Sequence, residues 1–224
     1  MEPLLPWELA NTVTGFATCL AGLMMLALTW LMGPQPARWW AVYVSVVVTG
    51  VFTVTYHGLG ETHGWKVLDN GSNLVVTAVM TAAVLGDFRP GRVARAGTAV
   101  SWVVNAVVIA LMWWVPSTTD VSQTVTFGGW GGYMVGELVL IANAFAVLGL
   151  FVAHRAQLPA DARPVLSLTA ALFVVGAALS TANGDEIVGA LVPLHALWHI
   201  VGAFGFIALW AFNHKRFGER GALA

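Results

Sequence analysis

Seven apolar stretches, each close to the length needed to cross a hydrocarbon core, dominate this 224-residue chain. A bilayer-spanning helix needs about 20 predominantly apolar residues. The stretches fall at 10–32, 39–59, 69–85, 98–115, 133–153, 165–181 and 190–212. Backbone N–H and C=O groups find no water in lipid, so such segments must satisfy their own hydrogen bonds as helices. Composition agrees, with 58% hydrophobic residues and only 9% charged, where soluble domains carry about 25%. The sequence predicts an all-α polytopic membrane protein: one seven-helix transmembrane domain over 1–224, with little outside the bilayer.

Basic residues set the expected orientation. Seven spans put Arg38, Arg89, Arg92, Arg95, Arg155, Arg163, Lys215, Arg216 and Arg220 on one side and leave only Lys66 on the other. Basic loops stay cytoplasmic, so the N-terminus is expected outside and the C-terminus in the cytoplasm. The segment 87–95 then reads as a solvated cytoplasmic turn. At a net charge of −1 it is no nucleic-acid surface. The first nine residues lack a basic n-region, so the first span is expected to stay in place. A plasma (inner) membrane location follows as an expectation. Cys19 lies alone in the first span, which excludes an intramolecular disulfide and reads as a small buried filler.

Histidine has little reason to be inside a membrane helix, yet His195-Ala-Leu-Trp-His199 falls in the seventh span. Residues four apart lie one turn up the same helical face, so both imidazoles can reach one ion. Ionisable groups within spans are costly and mark functional sites. The topology brings other unusual polar residues to the same outer half: Glu8 and Asn11 at the start of the first span, His57 at the end of the second, Asp69 at the start of the third. Three histidines with an open fourth position are the ligand set of a catalytic zinc site. His57, His195 and His199 form that set, and Thr53 lies one turn before His57. Asp69 is placed for proton transfer. Zinc would lower the pKa of a water toward neutral and polarise a carbonyl, which suits hydrolysis of an amide or ester within the membrane.

Several motifs resemble one family. Trp7-Glu8-Leu9-Ala10-Asn11-Thr12-Val13-Thr14 resembles the Glu-x-x-Asn-Thr-Val-Ser/Thr opening of alkaline ceramidases. Thr53-Val54-Thr55-Tyr56-His57 resembles their Ser-x-x-x-His, Lys66-Val67-Leu68-Asp69 the Leu-Leu-Asp that follows, and His195–His199 the His-x-x-Trp-His of the last helix. Adiponectin- and progestin-receptor-like proteins belong to the same broader group. The resemblance covers helices 1–3 and 7; helices 4–6 match only in hydrophobicity. It implies zinc on His57, His195 and His199, acid–base work for Asp69, and the family's serine role for Thr53. It also implies ceramide, or another N-acyl membrane lipid, as substrate. Threonine keeps the hydroxyl but adds a methyl group. The family's eukaryotic members bind calcium through an acidic N-terminal cluster. Only Glu2 and Glu8 precede the first span here, so that site is expected to be missing, with Glu8 capping helix 1 instead.

Each site residue has a competing structural reading. His57 reads also as an interfacial polar residue, the His195–His199 pair as a helix-packing contact, and Asp69 as the N-cap of helix 3. Glu137, one turn into the fifth span, is an accessory polar candidate with Glu8 and Asn11. Asn105 and Asn143 read as interhelical hydrogen-bonding groups. The glycine- and tryptophan-rich segment 127–132 reads as a flexible aromatic anchor at the interface. His63, His154 and His214 read as solvated. A retinal protein needs a Schiff-base lysine that the last span lacks, and a di-iron desaturase needs more than the six histidines present. Haem remains a rival, although an i,i+4 pair suits one small ion better. The alternative function is a non-catalytic receptor-like or accessory membrane subunit with a structural zinc, which would require a closed four-ligand site.

Overall fold

The computed structural model describes residues 6–33, 35–60, 62–89, 91–116, 125–127, 130–133, 135–181, 187–188 and 192–221. Seven α-helices carry the fold: α1 (Pro6–Met32), α2 (Ala37–Leu59), α3 (His63–Phe88), α4 (Arg92–Trp114), α5 (Val135–Ala153), α6 (Ala162–Thr181) and α7 (Leu194–Gly221). All seven are long and apolar enough to cross a membrane, compatible with an integral multi-pass protein.

The bounds depart from the apolar stretches in an instructive way. The third helix begins at His63 and the fourth at Arg92, six residues earlier in each case than hydropathy suggests. The last runs on to Gly221, well past residue 212. Lysine and arginine are good helix formers, so the helix continues where the lipid stops; hydropathy marks the solvent, not the hydrogen-bond ladder. His63 therefore opens α3 rather than sitting in a loop, and His214 lies within α7, stacked on Trp210 with ring centroids 5.0 Å apart. The segment expected as a flexible anchor includes a short ladder, β1 (Val125–Phe127) pairing antiparallel with β2 (Trp130–Tyr133). A second ladder joins β3 (Ile187–Val188) to β4 (Val192–Pro193), just before α7.

Helix α1 packs on α2 and α7, α3 packs on α2, α4 and α5, and α6 packs on α7. The α1–α2 contact is made close by small residues. A Cβ on Gly50 would lie 2.3 Å from the backbone nitrogen of Cys19, so only glycine permits this crossing. Lipid offers helices no hydrophobic drive to associate, and small residues allow the backbone contact that replaces it. Helix α2 then ends at Gly60, whose φ of 102° suits glycine, three residues past His57. Between α3, α4 and α5, the Asn143 amide donates to Asn105 Oδ1 at 2.8 Å and to Thr77 Oγ1 at 3.2 Å, as expected of the two asparagines.

One end of the bundle is closed by charge. Asp87, expected in a solvated turn, belongs to α3, and its side chain is only 5% exposed. It accepts hydrogen bonds from Arg38 Nε, from Trp39 Nε1 at 3.0 Å and from Arg216 Nη2 at 2.5 Å. Arg216 is buried among aromatic rings, with Phe217 at 4.3 Å, Phe212 at 5.1 Å and Trp39 at 5.3 Å from its guanidinium carbon. Arg216 also donates to Asn213 Oδ1, the Asn213 amide to Tyr43, and Tyr43 to Gln35. His154 is buried at this end too, stacked on Phe88 at 4.8 Å, not solvated. The charges counted as loop residues are partly drawn inside because each finds a partner across a helix boundary.

Candidate metal centre

The opposite end of α2, α3 and α7 carries the histidines, and the start of α1 brings Glu8 and Thr14 to them. Gly60 stops α2 just after His57, and β4 leads directly into α7 at Leu194, so His195 and His199 occupy its first two turns. Helical periodicity separates the motif's members by role. Ala196 is fully buried. Trp198 turns toward α6, where a Cβ on Gly176 would meet its ring at 2.7 Å. The two histidines face α2: the His57 ring lies 5.3 Å from His195 and 5.5 Å from His199, and these two lie 4.8 Å apart, all between centroids.

One nitrogen from each of the three rings lies within 4.8 Å of the others. His57 and His199 are 4% and 5% exposed. His57 Nε2 is buried and has no hydrogen-bond partner, a condition that requires an explanation such as an ion or water. Converging imidazole nitrogens in a largely buried site are the donor set of zinc and related metals, so the three residues fit a metal ion. The structure thus brings together the three histidines expected as a ligand set.

The polar residues around the rings divide by helix. On α2 and α3, Thr53 Oγ1 donates to Asp69 Oδ1 at 2.6 Å, one helical turn below His57. Asp69 is the seventh residue of α3 and so not its N-cap; Thr62 holds that position without a side-chain cap bond. On α1, Glu8 does not simply cap its helix. Its carboxylate meets His57 Nδ1 at 2.6 Å, and Glu8 is itself buried. Asn11 is 2% exposed and its Oδ1 has no partner. Thr14, the last residue of the N-terminal motif and given no role there, lies 3.1 Å from His199 Nδ1 through its hydroxyl. Glu8, Asn11 and Thr14 recur every three residues, and that spacing was the available signal for Thr14. Glu137 lies half-buried in the first turn of α5 and is not part of the three-histidine group.

The arrangement offers a converging set of nitrogen donors, a carboxylate already holding one proton donor, and a second carboxylate behind one ligand. Such a set can hold a cation and move a proton beside it. Comparison of the chain with protein-family models, curated proteins and solved structures finds no match.

Proposed function

We propose that this protein is a zinc-dependent hydrolase of the alkaline ceramidase kind, which cleaves the amide bond of ceramide or a related N-acyl lipid within the membrane. The observation that carries the reading is the pairing of two features one turn apart: three converging imidazoles, with His57 Nε2 buried and unpartnered, above the Thr53–Asp69 hydrogen bond. A closed structural site would need a fourth protein ligand.

Zinc held by His57, His195 and His199 would supply Lewis acidity toward water and a carbonyl. The chain's own groups do the rest. Asp69 takes a proton from the attacking water and delivers it to the amide nitrogen as the C–N bond breaks. The products are a fatty acid and the free amine. Thr53 holds the Asp69 carboxylate on the face of α2 that carries His57. A substrate with its amide just below a headgroup suits a site in the first turns of membrane helices. The same residues in a receptor-like or accessory subunit would bind zinc without turnover.

The basic-residue bias supports a site on the outer half of the membrane, with the N-terminus outside and the C-terminus cytoplasmic. Metal analysis of the purified protein, followed by incubation with a panel of N-acyl lipids read by fatty-acid release, tests the chemistry. About one zinc per chain and release from at least one lipid are expected. Metal-loaded protein that releases nothing across the panel would instead favour the accessory role. For the orientation, single cysteines at Thr62 and Gly91, introduced after replacing Cys19, should differ in intact cells. An impermeant thiol reagent should label position 62 and spare 91; the reverse pattern would move the site to the cytoplasmic side.

A further inference from the structure

We infer that α1 is the element that tunes the metal centre: Glu8 and Thr14 fix the tautomers of His57 and His199 so that both present Nε2 to the ion, and Glu8 adds the negative charge that the three neutral ligands lack. The inference rests on reading the three histidines as a metal centre, and it assigns the ligating atoms and two positioning residues that lie outside the ligand set.

The hydrogen-bond inventory leaves little freedom. A hydroxyl has one proton to give. Thr14 is 2.8 Å from the Ala10 carbonyl one turn back, and a carbonyl can only accept, so the Thr14 proton goes there. Toward His199 the Thr14 oxygen can then act only as an acceptor, at 3.1 Å. Both Thr14 contacts are satisfied together only with the His199 proton on Nδ1, which leaves the Nε2 lone pair bare. An ionised carboxylate is likewise acceptor-only. Glu8 Oε2, 2.6 Å from His57 Nδ1, draws the His57 proton to that nitrogen. The result agrees with an independent fact: His57 Nε2 is the buried nitrogen with no partner. Two residues of α1, six positions apart, thus set two ligands contributed by α2 and α7.

Charge adds a second role for Glu8. A dication held by three neutral imidazoles is an uncompensated charge of two in a buried site, which is costly. A carboxylate hydrogen-bonded behind a ligand cancels half of it and makes that imidazole a stronger donor. Thr14, being neutral, supplies orientation alone. The two residues should therefore fail differently when replaced.

Five proteins in detergent separate the roles: wild type, Glu8→Gln, Glu8→Ala, Thr14→Ser and Thr14→Val. Zinc affinity is read by competition with a chromogenic chelator, and ligand geometry by the visible absorption of the cobalt-substituted proteins. Outer partners of ligating histidines are worth about 10–100-fold in metal affinity. Glu8→Gln, which keeps an acceptor but loses the charge, should weaken zinc about tenfold and keep the cobalt spectrum. Glu8→Ala should approach a 100-fold loss and shift the spectrum. Thr14→Val, isosteric but without an acceptor, should weaken zinc about tenfold, while Thr14→Ser should match wild type. Unchanged affinity and spectra in Glu8→Ala and Thr14→Val would overturn the inference while leaving the metal centre standing. Equal losses in Thr14→Ser and Thr14→Val would also overturn it. A wild-type protein that takes up neither zinc nor cobalt would remove the metal centre itself, and no lipid assay is needed to see it.

Discussion

The two ends of the bundle bury comparable amounts of polarity and do opposite things with it. At the arginine end, the Asp87 carboxylate faces two guanidinium groups, from Arg38 and Arg216, and the rest of the buried guanidinium lies among aromatic faces. Unlike charges meet, and π faces surround the N–H groups that lack an acceptor. At the histidine end, three like groups point at one another with no counter-charge between them, and the carboxylates stand behind. The first cluster sets charge against counter-charge, while Arg216 Nε and Nη1 and Gln35 Nε2 stay buried without an acceptor. The second brings together three nitrogens that could hold a metal ion. Neither burial nor an unpartnered polar atom therefore distinguishes the two ends; whether opposite charges face one another does.

Removing a ligand or the proton carrier should give the largest effects, and only at the histidine end. His199→Ala should lose tightly bound zinc and, with it, all fatty-acid release. Asp69→Asn keeps shape but not proton chemistry, so it should retain about one zinc per chain while activity falls about 10²–10⁴-fold. Thr53→Ser, which keeps the hydroxyl bonded to Asp69, should stay active, whereas Thr53→Val should not. Zinc retained in His199→Ala would take that residue out of the ligand set. Full activity in Asp69→Asn would break the proposed division of labour.

At the arginine end the effect should be on stability. Asp87 joins α2, α3 and α7 through Arg38, Trp39 and Arg216. Asp87→Asn leaves the Arg216 charge buried without its counter-ion, which costs on the order of 3–5 kcal/mol. Thermal unfolding in detergent should show a clear drop in midpoint, while the folded fraction binds zinc with wild-type stoichiometry. Loss of zinc at an unchanged midpoint would show that the two ends are not separable in this way.

The sequence exposed the two clusters unequally, and the reason is physical. The seven helices were legible because a lipid solvent forces long apolar runs. The histidines were legible because a charge-capable group in such a run is conspicuous against that background. Asp87 and Arg216 sit at the edge of the lipid, where charged residues are ordinary, so nothing in the sequence distinguishes a buried ion pair there from a solvated loop. Thr14 stood in the N-terminal motif without a role for a different reason: threonine is common in membrane helices, and its link to His199 spans 185 positions. His154 joined the buried aromatic cluster through Phe88, a contact set by how α3 and α5 dock and not by either helix alone.

A third polar group, neutral throughout, gives the smallest expected effect and the finest control on the comparison. Asn143 donates to Asn105 and to Thr77, and Asn105 donates to the Ser101 carbonyl at 2.8 Å. This network ties α3, α4 and α5 together and holds neither a charge nor an unpaired cluster of lone pairs. Interhelical hydrogen bonds of this kind contribute about 0.6 kcal/mol each, and about 1.7 at most, because the unfolded chain in the membrane also finds partners. Asn143→Leu, close in volume and free of polar atoms, should thus lower the unfolding midpoint by less than Asp87→Asn does and leave zinc content and activity unchanged. Asn105 keeps its Nδ2 bond to Ser101, but its buried Oδ1 loses its donor, a cost of about 1–3 kcal/mol that involves no charge. A stability loss as large as that of Asp87→Asn would mean that closure of the network, and not the presence of charge, sets the cost of disrupting a polar cluster in this bundle.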